Sequence, residues 1–495
     1  MRYRTRIAAF LTTVALVTSL IAFTSPSNRV ALADPGTPPG TASGPIGTID
    51  PPLSSFTSLT LPTVAGDIRA VVYDGNALLI GASSTVTMTG FGSVPPAAVA
   101  NTTYVVADGQ CGISQAEPCT AVPPAGGSGD TLSFTGGAGT LTRGPDAFRG
   151  HDHCSYAPAG DPCLWDTRTE NVSAQVATGD TSVTAVVTSG PSTDGTDCLN
   201  HEAQVFAVGP AAAWAFGGYQ AAGAGLRNQG SGTIAIAGIP PTATVVKAFL
   251  YWNILNSSRP SNAMTLNMTS TPGTFIGSDG DPCWGAGTSW AFRADVTSVV
   301  APTGNGAYTV SGYPTGSTSG LNPFVVGSTS PMAEGASLIV FYGQVSTPGK
   351  VTGGGYIDPV TGELVGDASM LIKSGSMVGN TANFGFVMSF KAGDTSPTGN
   401  LLFNDKAFPE RVKSTSIDLL VIADGACGTN THFDARITAD ENGTPGQTFH
   451  VFGDDCDEPG SSPGSGPDMF GIEKVPVGYT AAGPLIGGNI QIHKS

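Results

Sequence analysis

Five acids crowd one stretch near the C-terminus, "DDCDEPGSSPGSGPDMF" (454–470): Asp454, Asp455, Asp457, Glu458 and Asp468. Closely spaced carboxylates repel one another, and Ca²⁺ takes about 6–8 hard oxygens from carboxylates, carbonyls and water. These acids are a candidate Ca²⁺ site of a type other than the EF-hand, whose ligand spacing is absent. The expectation is a solvated loop rich in Ser, Pro and Gly, tethered by a disulfide at Cys456, with Ca²⁺ binding as the alternative. Asp279 and Asp281 in "GSDGDPC" read as tight-turn formers that need no ion.

Sugar binding is the second candidate chemistry. Trp284, beside Cys283 in a glycine-rich loop, is the expected exposed ring for stacking on a glycan. Tyr251, Trp252 and Tyr356 are lesser candidates, and Trp252 is expected in the core because its strand is apolar on both faces. "GHDHC" packs His151, His153 and Cys154 together, but no second pair exists at zinc-site spacing. Lys247 interrupts "TVVKAFLYW" and is expected to snorkel at a strand end, with carboxylate pairing or an isopeptide bond as alternatives. His201 and His493 read as strand-surface positions.

Catalytic motifs are missing: no Gly-x-Ser-x-Gly stands between a strand and a helix as a nucleophile elbow does, and there is no His-Glu-x-x-His helix. Glycoside hydrolysis needs two carboxylates held about 5–9.5 Å apart across a sugar, and the acids here lie mostly in turns. No catalytic residue and no organic cofactor is expected.

The elements that must position these groups belong to an exported chain. Arg2, Arg4 and Arg6 precede an apolar run, Ile7 to Phe23, and Ala31-Leu32-Ala33 forms a small-x-small cleavage pattern. Residues 1–33 read as a signal peptide and 34–52 as a Pro/Gly linker. No membrane insertion is expected after cleavage, and any hold on the cell is expected to be non-covalent. Removing the signal leaves 17 basic against 37 acidic residues. That balance disfavours nucleic acid and anionic membrane as partners.

All eight cysteines lie in the exported part, and an even count outside the cytoplasm reads as disulfides. Short loops and shared domains favour Cys111–Cys119, Cys154–Cys163 and Cys427–Cys456, which leaves Cys198 with Cys283; the connectivity otherwise stays open.

A two-residue period dominates the chain. "TSVTAVVTS" puts Val183, Ala185 and Val187 on one face, "NFGFVMSFK" groups Phe384, Phe386, Met388 and Phe390, and "NIQIHK" aligns Ile490 with Ile492. "ATVVKAFLYWN" predicts a central strand. Asp74-Gly75, Asp108-Gly109, Asp424-Gly425 and Asn442-Gly443 read as turns. One phrase occurs twice: a Gly-Asp-Pro-Cys turn, a Trp, and an Arg three residues on (Trp165/Arg168, Trp290/Arg293). Flanking strands follow in similar order, with 77–83 matched to 245–253 and 201–209 to 336–344. The expectation is an all-β chain of tandem antiparallel β-sandwiches, two related copies (53–208 and 209–348), followed by a β-sandwich or barrel (349–495). The two Trp are then core plugs at equivalent corners, and the two Arg pair with carboxylates or cap carbonyls.

"IPPTATVVKAFLYWN", "GSDGDPCWG", "FRADVTSVV", "YTVSGY" and "MAEGASLIVFY" resemble a β-sandwich domain of uncharacterised function in secreted bacterial and archaeal surface proteins. From Lys350 onward, "KVTGGGYI", "ANFGFVMSF", "GNLLFND" and "GPLIGGNIQIH" resemble the domain that follows the choice-of-anchor P region of bacterial extracellular proteins. That family's acidic loop is here longer and carries Cys456. Both resemblances imply an extracellular β protein and no activity. The expected function is a secreted, non-catalytic binding or adhesion role at the cell surface or matrix, with an extracellular glycan or protein as partner. A carbohydrate-binding module array is the alternative, and a polysaccharide hydrolase the third.

Overall fold

The computed structural model describes residues 53–493 apart from 109–129, 151, 153–163, 359–380 and 457–466 and positions 146, 193, 194, 197, 241, 242, 282, 395, 407, 426, 476 and 477. The expected signal peptide and linker, Cys111, Cys119, Cys154, Cys163, His151, His153, Asp457 and Glu458 therefore lie outside the described residues.

The chain is all-β and antiparallel. Its first part comprises β1 (Ser55–Leu61), β2 (Ile68–Ile80), β3 (Ser83–Met88), β4 (Ala98–Ala107), β5 (Thr131–Gly136), β6 (Gly139–Arg143), β7 (Trp165–Asn171), β8 (Val183–Thr188), the two-residue β9 (Pro191–Ser192) and β10 (Gly195–Thr196), and β11 (Cys198–Pro210). One sheet runs β1-β2-β11-β4-β7 and the other β3-β8-β5-β6. Between them lies a core to which β8 contributes Val183, Ala185 and Val187, the face its alternation predicts.

The second part comprises β12 (Gly218–Gly225), β13 (Ser231–Ile236), β14 (Thr244–Leu255), β15 (Thr265–Leu266), β16 (Thr269–Ser270), β17 (Thr274–Asp281), β18 (Gly287–Asp295), β19 (Gly306–Ser311) and β20 (Met332–Gly343). Its sheets run β12-β20-β14-β18-β17 and β13-β19-β15-β16. Leaving out the edge strands β1 and β17, the two sandwiches repeat strand for strand. β2, β11, β4 and β7 become β12, β20, β14 and β18, and β3, β8, β5 and β6 become β13, β19, β15 and β16.

The doubled phrase does not mark equivalent corners. It falls on corresponding strands, β7 and β18, but on opposite faces. Trp165 pairs with Ala107 and is wholly buried between the two sandwiches. Trp290 pairs with Ile254, packs half-buried against its own sandwich's core, and donates from Nε1 to the Asn256 carbonyl at 2.9 Å. Side chains alternate along a strand, so a shift of one residue reverses the face. Residues 77–83 also begin in β2, whose counterpart is β12, whereas 245–253 lie in β14, the counterpart of β4. The repeat is carried by strand order, not by the phrase.

The sandwiches meet through their five-stranded sheets, with β2 against β17 and β18, β11 against β14, β4 against β20, and β7 against β12. Exchanging each strand for its counterpart turns the contact β2·β18 into β12·β7 and β11·β14 into β20·β4. The pair is packed about a pseudo-two-fold axis, as in an isologous dimer. Val72, Val105, Val205 and Trp165 bury against Tyr219, Phe249, Ile339 and Phe341 there, each worth about 1.5–3 kcal/mol of apolar burial.

The third part is a closed barrel of β21 (Gly349–Ile357), β22 (Ala382–Phe390), β23 (Thr398–Asp405), β24 (Glu410–Gly425), β25 (Gly428–Glu441), β26 (Thr444–Asp454), β27 (Met469–Val475) and β28 (Thr480–His493). An eight-stranded barrel is just wide enough for side chains to fill. Phe384, Phe386, Phe403, Phe433 and Phe470 fill this one, with Phe384 and Phe470 stacked at 3.8 Å. Asn442 and Gly443, with φ of 52° and 89°, turn β25 into β26 as a two-residue hairpin requires. The outer faces of β24 and β25 dock on the first sandwich: Leu419 and Val421 cover Val64, and Arg436 donates to Asp67 at 2.6 Å and to the Thr63 carbonyl at 3.2 Å.

Candidate functional site

Asp74 and Gly75, a turn signal by residue type, lie inside β2, where they face a bulge of β11. Against β4 Glu202 is the extra residue, between His201 and Ala203, and against β2 it faces two residues, Gly75 and Asn76. β20 carries a matching bulge. Against β14 its register passes from Asn253–Gly335 to Ile254–Ala333 and leaves Glu334 as the extra residue. A bulge re-aims a side chain. Both glutamates are fully buried, and both engage groups in the seam between the two sandwiches.

Asn253 donates to Glu202 and, at 2.7 Å, to the Ser289 hydroxyl. Asn76 donates to the same hydroxyl at 3.0 Å and to the Ser289 carbonyl at 3.1 Å. Asp74 accepts from Tyr251 at 2.9 Å and from Arg293 at 2.5 Å. Next along the seam, Arg227 is wholly buried, bonded to Glu334 and 3.8 Å from Asp108. Five carboxylates (Asp74, Asp108, Glu202, Asp281, Glu334) thus face two guanidiniums, Arg227 and Arg293.

Burial penalises that charge. It pushes Glu202 well above the usual carboxylate range, and it raises Asp74 although Arg293 pulls the other way. It raises Asp108 well up, with the Glu334 charge adding to it, and lifts Glu334 to about 7 against the pull of Arg227. Several polar atoms here have no partner: Asp74 Oδ1, Asn76 Oδ1, Glu202 Oε2, Asn253 Oδ1 and both amide atoms of Asn200, and with them Arg227 Nε and Nη1, Glu334 Oε2 and Asp281 Oδ2.

Trp284 is a half-buried plug of this seam. The Arg227 guanidinium lies 4.1 Å over its ring, and its Nε1 donates to Asp108 at 2.7 Å. The open stacking ring expected at this position is therefore covered on one face. Tyr251 and Trp252 are buried. Asp279 and Asp281 lie in β17: Asp279 accepts the Leu78 N–H at 3.2 Å, and Asp281 accepts the Cys283 N–H at 2.8 Å. The expected Cys198–Cys283 and Cys427–Cys456 disulfides are present, with Cα atoms 6.6 and 5.1 Å apart. The first joins β11 of one sandwich to the loop after β17 of the other. Among the described residues, one triad of potential ligand atoms lies within 4.8 Å, namely Cys198, Asp281 and Cys283. Its two sulfurs are already bonded to each other.

The described acids of the candidate Ca²⁺ loop serve separate bonds instead of converging. Asp454 meets His432 Nδ1 at 2.9 Å, Asp455 accepts the Ile492 N–H at 2.8 Å, and Asp468 accepts from Cys456 (2.9 Å) and Ile490 (2.7 Å). Asp454 opens a chain on the barrel's outer wall that runs through His432, Asp434 and His450 to Glu473, with links of 3.3, 2.8 and 2.7 Å after the first. Burial opposes charge on the two imidazoles, but their carboxylate hydrogen bonds outweigh it and raise His432 to about 10 and His450 to about 9.

Lys247 is paired with Asp295. Arg168 bonds Glu170 and caps the Ala147 carbonyl, and Arg293 bonds Asp74, the two roles expected of these arginines. His201 is fully buried beside Ser84 rather than on the surface, and burial lowers it to about 3.

The seam groups Glu202, Glu334, Arg227 and Asp74 were not singled out from sequence. The available signal was a glutamate inside each of two apolar runs, "HEAQVFAVG" and "AEGASLIVFYG", a local conflict of the kind that marks special sites. Among the described residues no helix is long and apolar enough to cross a membrane. No family model matches the chain, and no curated protein matches it.

Proposed function

We propose that this chain is an exported, non-catalytic protein of the cell surface or extracellular matrix that adheres through the outer wall of its barrel. The observation that carries the reading is the wall of β28, β21, β22 and β23, on the side of the barrel away from the sandwich-docking strands. Its outward residues hold no acid, in a chain with 37. Asn383, Asn400, Asn404 and Asn489 point outward, and no side-chain hydrogen bond among the described residues engages their amides. Gly354 and Gly385 pair at its centre with open space above Gly385. The disulfide between the sandwiches and the resemblance to surface-protein domains support export.

A specific feature favours a neutral glycan as the ligand. The Tyr356 ring, 38% exposed, lies over Gly487, where a Cβ would meet it at 2.8 Å. An aromatic ring laid along a sheet, ringed by free amides, matches the apolar face and the hydroxyls of a sugar. The test is retention of the protein on envelope fractions and on a panel of neutral polysaccharides. Wild type is expected to be retained, and Tyr356→Ala with Asn489→Ala to be released. Wild type passing through every matrix, or polysaccharide cleavage in its presence, would overturn the proposal.

A further inference from the structure

The seam between the sandwiches holds more negative charge than its arginines neutralise, and unpartnered atoms lie along it: besides Arg227 Nε and Nη1, Glu334 Oε2 and Asp281 Oδ2, a set of them is linked through Glu202. Strand alternation turns Leu199 and His201 into the first sandwich's own core, and so turns Asn200 the other way, toward the second sandwich. Asn200 is fully buried, and neither atom of its amide has a partner. Glu202, two residues on, keeps Oε2 free; Asn253, bonded to it, keeps Oδ1 free. Asn76 shares Ser289 with Asn253 and keeps Oδ1 free, and Asp74, whose charge Glu202 feels, keeps Oδ1 free. Burying a polar atom without a partner costs about 1–3 kcal/mol, so five such residues in one place call for a shared partner.

We propose that Asp74, Asn76, Asn200, Glu202 and Asn253 bind a calcium ion sealed between the two sandwiches. Two carboxylates and three amide oxygens form a hard, all-oxygen set of the kind Ca²⁺ takes, with water completing a shell of about 6–8. The alternatives each meet half the need. Protons on the two carboxyls neutralise them but supply at most two O–H donors for three amide oxygens. Water pairs the oxygens but leaves the charge. A divalent cation takes up the oxygens and the charge, with a water of its shell left to accept from Asn200 Nδ2, and it cross-links β2 and β11 of one sandwich to β14 of the other. The site is distinct from the acidic loop at 454–468, whose described carboxylates are taken up by protein donors.

The experiment uses the full exported chain. Protein stripped with EDTA is titrated with Ca²⁺ and, separately, Mg²⁺, and followed by bound-metal analysis, thermal melting and Tb³⁺ luminescence excited through tryptophan. The expected result is one Ca²⁺ per chain, a higher melting temperature on adding Ca²⁺ back, and a Tb³⁺ signal that Ca²⁺ quenches. Asn200→Ala, which removes a ligand, is expected to weaken binding by at least the ~10–100-fold that loss of a group supporting a metal's ligands costs. Glu202→Gln is expected to abolish it, and Asp454→Ala to leave it unchanged. If Glu202→Gln fails to fold, Asn200→Asp, which adds a charge at the same place, is expected to tighten binding. Stripped wild type that takes up no Ca²⁺ and melts unchanged would overturn the proposal. So would Asn200→Ala and Asn200→Asp proteins that both bind like wild type, or binding that disappears with Asp454→Ala.

Discussion

Gly335 owes its identity to a neighbour across the seam: a Cβ there would fall inside the Trp165 indole. Trp165 cannot yield, because it is fully buried and its Nε1 donates to Ser337 at 2.8 Å. Gly335→Ala is expected to cost about 1–3 kcal/mol, the range for overpacking a filled core. Gly385→Ala, with nothing within 4 Å of the added methyl, serves as the neutral control. Chemical denaturation midpoints of the two variants compare them directly. Arg227 is the other residue whose loss is expected to be severe. Removing one partner of a buried ion pair costs about 3–5 kcal/mol because the other charge is stranded, whereas replacing both with apolar residues is often neutral. Arg227→Met is therefore expected to destabilise by that amount, and Arg227→Met with Glu334→Leu to recover most of it. Equal losses in the single and double variants would show that Glu334 is not the charge Arg227 serves.

At the scale of the strand, the alternating chain Asp454–His432–Asp434–His450–Glu473 pins β25, β26 and β27 together on the barrel wall. His432 at about 10 and His450 at about 9 both stand above the ordinary value of 6.5. Their stabilisation is fully present below about pH 6.5 and is lost as pH rises through 9 to 10. Burial opposes the charge of Asp434, but hydrogen bonds from the two imidazoles outweigh it and hold the carboxyl below its ordinary range. Its contribution is present above about pH 4 and is lost on further acidification. Stability should peak between about pH 4 and 6.5 and decline into the alkaline range. His432→Gln with His450→Gln should flatten that alkaline slope in a series of melting curves, and an unchanged slope would rule the chain out as its source. The strands themselves were legible because burial of one face writes a two-residue period, visible at Val183–Val187 and Phe384–Phe390. The disulfides Cys198–Cys283 and Cys427–Cys456 were legible from loop length and elimination. Closure of the barrel was not, because it rests on pairing the first strand with the last, which no local pattern carries. The seam stayed hidden for a different reason. Asp74-Gly75 has the composition of a turn, and a glutamate in an apolar run shows that it will be buried without showing what it will meet.

For the whole molecule, the pseudo-two-fold packing means that neither sandwich completes itself. Each presents an apolar five-stranded face whose complement is its counterpart's face: Val72, Val105, Ala203, Val205 and Trp165 from one, Tyr219, Phe249, Tyr251, Ile339 and Phe341 from the other. An exposed patch of that kind is an association site in a monomer, and an isologous arrangement is self-complementary in outline. Residues 53–210 expressed alone are therefore expected to self-associate, whereas 53–348 remain monomeric by sedimentation. The Cys198–Cys283 bond, spanning 85 residues, adds about 4 kcal/mol by restricting the unfolded chain. Because the seam is shared, that stabilisation should appear in both sandwiches at once. Cys198→Ser with Cys283→Ser is expected to lower one joint transition of the pair and leave the barrel, whose aromatic core is its own, nearly unmoved. Hydrogen exchange resolved by segment reads this out. Protection lost from 68–210 alone, with 218–343 unaffected, would show that the two sandwiches unfold independently and that the seam does not bind them into one unit.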